Sequence, residues 1–598
     1  MFNLLTKKEY FLPITILIIL GSLVHAFNLQ NPLFWDDIDW IVNNVPVHRI
    51  GWDQIKFWFS HDALAGIGLS SNYYRPVLFF TFALNYVISG TNSLSYHLFS
   101  NAIHIANAIL IFLLLSRLLL ARWVAFLTAL IFAIHPLQTE AVAYISGRGD
   151  PLALFFMLSA LLLYLKSKSP ADSWKLLSLG SLILALLSRE TAIVFPFLLM
   201  LCEFFRSGRG RFILAIRNSF IKALPYFGIV FAYGILRLTV LNFQNTLNFY
   251  QTPTAYSENI LYRLFTFMHV LVDYFSLLFV PVGLHMERSM IVHTSLFQWP
   301  VWLSALIVIS ILVLLRRLYV RRHPDFPVWL FGFGWFFVGL APVSGITPIN
   351  ALIYEHWLYV PMIGFWFMIS FYLVKLFGYL NNKFQIANNK QYKNSNDQFK
   401  KVLFVICLLL FGAYISFLGL QSVKRNILWG KPIEFYKDIL LYEPNSIRIN
   451  NNLGNHYYNA KDMVQAEYYY RRATEENDVY AQPYFNLGTI LQAKGDVLGA
   501  ITLYEQAIRI NPKFFHPYQQ LAGIYAQQGN LPKAAENIEA LKMFLPDNPR
   551  VYYNAALLYA ALNDKEKALK DIQKGLELAE ADPETAMLLL ELFQKISQ

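Results

Sequence analysis

The sequence predicts an all-α protein in two parts, a polytopic helical membrane body of about eleven spans followed by an α-solenoid of short repeats. Three observations predict this. The chain of 598 residues is 56% hydrophobic and only 15% charged, with a mean hydropathy of +0.40, whereas a soluble domain carries about 25% charged residues. Long apolar runs recur down to about Gln421 and then stop. Beyond Pro444 a 34-residue period takes over.

A spanning helix needs roughly 20 mostly apolar residues. Runs at 11–27, 98–115, 123–134, 152–165, 174–187, 192–205, 223–241, 301–315, 328–343, 357–374 and 402–420 are read as the spans. Two further apolar stretches, 77–88 and 264–280, are assigned to re-entrant or interfacial helices in outside loops, because counting either as a span spoils the charge pattern. With eleven spans, twenty-two basic residues fall in the inside loops, including Arg117, Arg122, Lys166, Arg206, Arg316, Arg317, Arg321 and Arg322. The outside loops before the last span hold seven. This asymmetry places the N-terminus in the cytoplasm and the C-terminal repeats outside, in a bacterial inner membrane. The first run reads as an uncleaved anchor, since no small-residue cleavage site follows Phe27. The net charge of +11 has the same origin in inside loops, so no nucleic-acid partner is expected. Cys202 and Cys407 lie in apolar runs and predict neither a disulfide framework nor a cysteine metal site.

The expected organisation is a membrane domain over 1–422, with a polar, Asn/Lys-rich cytoplasmic linker at 381–401 inside it. A connecting helix at 423–446 and the repeats at 447–598 follow. Leu453-Gly454 recurs as Leu487-Gly488, Leu521-Ala522 and Ala555-Ala556. Ala466, Ala500, Ala534 and Ala568 recur at the same step, and Pro512 and Pro546 close the middle repeats. Small residues at a helix crossing, with large ones opposite and Pro at the end, are the tetratricopeptide (TPR) pattern, here over about four repeats. Such arrays present a concave groove that takes peptide or protein; a passive structural array is the plainer alternative.

Ionisable residues in a membrane body are functional candidates. Asp36, Asp37 and Asp39 sit among aromatics just beyond the first span, where desolvation and like charge raise a carboxylate's pKa toward that of a general base. A solvated acidic turn is the competing reading. His135 and Glu140 flank a Pro-broken turn, and Arg148 and Asp150 lead into the next span. Arg189 lies outside, against the charge trend, and calls for a partner: a phosphate, or Glu190 beside it. Glu355 and His356 enter the tenth span, and His285 to Arg288 form a further polar cluster. His and carboxylates in several loops could also hold a divalent metal, though no spacing is diagnostic.

The ordered string Asp36-Asp37, Tyr74-Arg75-Pro76 with Asn85-Tyr86, His97 with His104, 135–142 with Gly147-Arg148, Ser188-Arg189-Glu190 and 355–361 resembles the TMTC family, the transmembrane and tetratricopeptide-repeat containing proteins. The resemblance covers essentially the whole chain. It implies a GT-C type membrane glycosyltransferase whose donor is a sugar on a polyprenyl-phosphate carrier and whose acceptor is a protein hydroxyl on the outer face. It further implies Asp36 or Asp37 as catalytic base, Glu140 and Arg148 lining one cavity with His135, Glu355 and His356 nearby, and Arg189 at the carrier phosphate. The chain departs from the animal pattern in having Arg-Glu where Lys-Glu is common, and in having fewer repeats than many members. Two other classes compete: a non-catalytic membrane scaffold organised by its TPR groove, and a transporter or polysaccharide polymerase. Transporters favour mid-membrane ionisable groups and repeated halves, neither of which the sequence displays.

Overall fold

The structure, a computed structural model, describes residues 8–119, 121–169, 172–207, 212–243, 254–349, 351–380, 397–475 and 480–597. Among the described residues every regular element is helical. The chain divides into two compact units, Met1–Phe435 and Tyr436–Gln598.

The longer helices of the first unit are α1 (Lys8–His25), α2 (Trp52–Ser60), α3 (Pro76–Ser89), α4 (Leu94–Leu118), α5 (Arg122–Ile134), α6 (Thr139–Ala143), α7 (Gly149–Lys166) and α8 (Ser173–Leu186). They continue with α9 (Phe195–Ser207), α10 (Phe212–Leu238), α11 (Ile260–Phe279), α12 (Trp299–Val320), α13 (Phe326–Leu340), α14 (Met362–Leu380) and α15 (Asp397–Trp429). A helix stands at each of the eleven expected span positions. Among the described residues nine helices are long and apolar enough to cross a membrane, or ten when the bent pair α5–α6 counts as one. The bend is 55° and falls at Pro136, which cannot continue the backbone ladder.

Contacts at the helix ends show how the helices alternate. At one end Glu9 of α1 pairs with Arg122 of α5 at 2.6 Å, and Arg117 of α4 donates to the Leu162 carbonyl of α7 at 3.3 Å. Lys375 of α14 pairs there with Asp325, just before α13, at 2.9 Å, and Glu203 takes both Arg206 and Lys222. At the other end Asn101 of α4 donates to the His25 carbonyl, and Asn426 of α15 to the Val24 carbonyl, both at 3.0 Å. Arg117, Arg122, Arg206, Lys222 and Lys375 thus gather at one end, and the loops with the candidate site residues at the other.

Helix α11 has the length and composition of a span, although the sequence assigns that stretch to an outside loop. Its contacts explain the discrepancy. Arg263 near its start donates to the Gly345 carbonyl at 2.7 Å, Tyr274 to the Tyr354 carbonyl at 2.9 Å, and the Leu278 carbonyl meets His135 at 3.1 Å. All three partners lie in loops at the site end, so α11 runs along that end rather than through the bundle.

Helices α5, α8 and α9 have 13, 14 and 13 residues. At 1.5 Å per residue each is about 20 Å long, short of a hydrocarbon core of about 30 Å. Site residues lie in the loops after α5 and α8 and before α9. Packing between α13 and α14 is tight: a Cβ on Gly364 would lie 2.3 Å from the Gly332 carbonyl, so the two helices approach backbone to backbone.

The expected linker at 381–401 falls partly outside the described residues; 397–401 instead open α15, which runs unbroken to Trp429. The segment beyond it is a separate helix, α16 (Pro432–Tyr442), and the division into two compact units falls within it, at 435/436.

The second unit is a row of helix pairs: α17 (Ile447–Asn459) with α18 (Met463–Thr474), α19 (Gln482–Ala493) with α20 (Val497–Ile510), α21 (Phe515–Gln527) with α22 (Leu531–Phe544), and α23 (Pro549–Ala561) with α24 (Lys565–Leu578). Helix α25 (Pro583–Ser597) follows. Ala466, Ala500, Ala534 and Ala568 are fully buried at the crossings, with Leu453, Leu487 and Leu521 packed beside them. A Cβ at Gly454 or Gly488 would meet Tyr470 or Tyr504 at 2.5 and 2.7 Å. Asp462, Asp496, Asn530 and Asp564 cap every second helix by accepting from a backbone N–H three residues on.

Candidate active site

The first loop carries an unfavourable backbone. Trp35 holds a φ of +62°, a left-handed conformation that costs a bulky residue about 1–2 kcal/mol. Such strain persists where the surroundings impose it, often at functional sites. Here it turns the next two carboxylates apart. Asp36 is exposed and accepts a 2.5 Å hydrogen bond from the Tyr144 hydroxyl. Asp37 is buried and accepts from the Ser146 N–H at 2.8 Å and its hydroxyl at 2.6 Å. Burial pushes the Asp37 pKa up to about 7; the two Ser146 bonds oppose the rise and Asp36 adds to it. Asp39 is exposed and takes only a local bond from Asn43 at 3.0 Å.

The second feature is a buried chain of four side chains. Glu140 accepts from the His356 N–H at 3.1 Å, and its other oxygen lies 2.7 Å from His356 Nδ1. Arg189 Nη2 lies 3.2 Å from His356 Nε2, and its Nη1 pairs with Asp150 at 2.6 Å. A guanidinium only donates, so His356 Nε2 must accept and its proton sits on Nδ1, facing Glu140. The partner Arg189 calls for is therefore Asp150, not its neighbour Glu190. Glu190 takes Arg75, with bonds of 3.0 and 3.1 Å to one oxygen and 3.4 Å to the other. The Arg75 guanidinium also lies over the Tyr73 ring, 4.4 Å from its centroid.

Glu355 is held behind this chain by the His285 N–H at 2.7 Å and Arg288 at 2.9 Å, with Arg425 at 3.7 Å. It anchors the loop that presents His356. Two expected site residues point elsewhere. Arg148 is fully buried and spends its donors on Ser100, Thr81, Asn85 and the Tyr96 carbonyl at 2.7–3.2 Å. It ties α3 and α4 to the site loop rather than lining a cavity with Glu140. His135 caps the turn after α5, accepting from the Leu137 N–H at 3.3 Å. Tyr144, Ser146 and Arg75 were not singled out from sequence; Arg75 lies inside a quoted motif, whereas Tyr144 and Ser146 fall in the gap between 135–142 and Gly147-Arg148. Among the described residues no group of three or more His, Cys, Asp or Glu is placed to hold a metal ion.

Asp37 gives a stability prediction. An unfolded aspartate loses its proton near pH 4, whereas folded Asp37 holds its proton to about pH 7. Over that interval the unfolded state binds fewer protons, so stability falls as pH rises, by at most about 4 kcal/mol from this group. Asp37→Asn keeps both Ser146 bonds without the charge. Thermal unfolding in detergent should show the variant more stable than wild type at pH 8, with the gain gone by about pH 4. Equal stability at pH 8 would mean that Asp37 ionises at little cost.

Fold and site together define a class: a polytopic helical body with a buried carboxylate–arginine network in the loops at one end, and a helical repeat tail. Models of the tetratricopeptide repeat match residues 491–550 and 549–582. The chain is TMTC-like. It is 28% identical over 450 residues to a protein O-mannosyl-transferase of Caenorhabditis elegans, covering 73% of this chain and 59% of the relative. It is 25% identical over 494 residues to protein O-mannosyl-transferase TMTC3 of Mus musculus, covering 76% and 50%. The chain thus spans little more than half the length of these curated relatives. Among solved structures, the oligosaccharyltransferase of Archaeoglobus fulgidus is 14% identical with a TM-score of 0.40, over 76% of this chain and 59% of that one.

Proposed function

We propose that this protein transfers a sugar from a polyprenyl-phosphate carrier to a serine or threonine hydroxyl of a protein, at the non-cytoplasmic face of the membrane. The observation that carries the proposal is an exposed carboxylate, Asp36, held by the Tyr144 hydroxyl, at the same end of the bundle as a buried Glu140–His356–Arg189–Asp150 chain. A lipid-linked donor cannot leave the bilayer, so its reaction centre must open at membrane level. The acceptor must arrive from water, and the exposure of Asp36 supports its meeting the acceptor first.

In this reading the acceptor oxygen attacks the anomeric carbon and its proton passes to Asp36. The bond from that carbon to the phosphate oxygen breaks, and the electron pair leaves with the polyprenyl phosphate. Tyr144 orients Asp36 through its hydroxyl. Arg189, held by Asp150 and His356, faces the developing phosphate charge, where a fixed cation in a dry site is worth most. Glu140 keeps the His356 proton on Nδ1, so Nε2 stays an acceptor for Arg189. The basic end of the bundle is assigned to the cytoplasm of a bacterial inner membrane, and the TPR groove is assigned the recruitment of acceptor polypeptide, raising its local concentration.

Mass spectrometry of outer-face proteins from cells with and without the gene tests this. Hexose on Ser or Thr should be present in the first and lost in the second. An unchanged glycopeptide set would favour a membrane scaffold built around the TPR groove.

A further inference from the structure

The first two repeats carry an ordered set of carboxamides. Asn451 and Asn455 lie one turn apart on α17, and Asn486 lies on the neighbouring first helix, α19. The Asn486 amide nitrogen donates to Asn451 Oδ1 at 2.9 Å and to Asn455 Oδ1 at 3.0 Å. Tyr470 donates its hydroxyl to the same Asn455 oxygen at 2.8 Å. One repeat further on, Tyr504 donates to Gln492 Oε1 at 2.7 Å. These bonds fix which way each amide faces. An amide nitrogen has two hydrogens, and Asn486 has spent both, so its oxygen remains an acceptor. Asn451, Asn455 and Gln492 hold their oxygens inward, so their NH2 groups turn the other way. Asn451 is only 7% exposed, and among the described residues its NH2 has no partner.

This face therefore displays three amide donors and one amide acceptor, oriented by tyrosines 34 residues apart, and none of the four side chains is charged. Its complement is a chain that alternates C=O acceptors with N–H donors, and carries no charge that would have to be desolvated against it. We infer that the first two repeats clamp an extended, uncharged polypeptide segment by its backbone, reading little of its side chains. That the segment belongs to the hydroxyl-bearing acceptor rests on the proposed transfer function; the clamp itself does not.

The test uses the full chain in lipid nanodiscs and no transfer readout. The probe is a fluorescent peptide of about fifteen Ala, Ser, Thr and Gly residues, long enough to cross two repeats. A second probe has the same sequence with alternate peptide nitrogens methylated. Fluorescence anisotropy should show the plain peptide binding with little change between low and high salt. Methylation or Asn486→Leu should weaken binding about 10-fold, the value of one or two net hydrogen bonds. Gln492→Ala removes one outward NH2 without touching the Asn451–Asn486–Asn455 set, and should cost about 3-fold on the same scale. Absence of binding, equal affinity for plain and methylated peptides, unchanged binding in both variants, or binding lost in high salt would each overturn the clamp. Because sugar is not involved, failure of the transferase reading leaves this test standing.

Discussion

Replacing Asp36 with Asn should lower sugar transfer by about 100- to 10,000-fold, the usual loss on removing a general base, without unfolding the protein. Asn keeps the shape and still accepts from Tyr144, but cannot take the acceptor's proton. Asp37→Asn should lose far less, about 10-fold or under on the same scale. Asp37 is buried and occupied by Ser146, so its work is to hold the site loop against the first loop. Asp39→Asn, at an exposed side chain bonded only to Asn43, should transfer as wild type. The sequence leaves Asp36 and Asp37 equivalent; the structure separates them by exposure. A reconstituted assay with detergent-extracted size as the fold control decides among the three, and full activity in Asp36→Asn would remove the first loop from the chemistry.

Arg189→Met should be the most damaging change in the buried chain. It leaves Asp150, almost fully buried, without the guanidinium 2.6 Å away. Breaking a buried pair from one side costs about 3–5 kcal/mol. The double variant Arg189→Met with Asp150→Asn removes both charges and should recover most of the thermal stability, yet use the lipid-linked donor no better than the single variant. Arg189→Lys keeps the charge but not the planar fork that reaches Asp150 and His356 together, and should fall between. Donor titration alongside thermal unfolding separates the two roles. If the double variant regains transfer with its stability, Arg189 serves only to neutralise Asp150.

How far the sequence reaches depends on the distance over which each feature is encoded. Helices and repeats are local, and the runs of apolar residues and the step from Leu453 to Leu487 to Leu521 carry them directly. The pairs that build the site are not local. Glu140 and His356 are 216 residues apart, so no spacing rule reaches them, and Arg189 chooses Asp150 over the adjacent Glu190 because Arg75 already holds Glu190. Arg148 shows the opposite failure. A charge in an apolar body reads as functional, but four neutral acceptors on α3 and α4 satisfy it, too scattered in sequence to flag. Helix α11 is legible as an apolar helix; whether it crosses or lies along the bundle depends on Arg263, Tyr274 and the loops they meet.

The most direct test of the central claim is transfer by the purified chain in a bilayer. The system holds a polyprenyl phosphate carrying radiolabelled mannose or glucose, together with a Ser/Thr acceptor peptide. The account predicts that label moves from lipid to peptide and is released by base-catalysed β-elimination, as an O-linked sugar would be. Label that stays on the lipid, or appears only as free sugar, would contradict it.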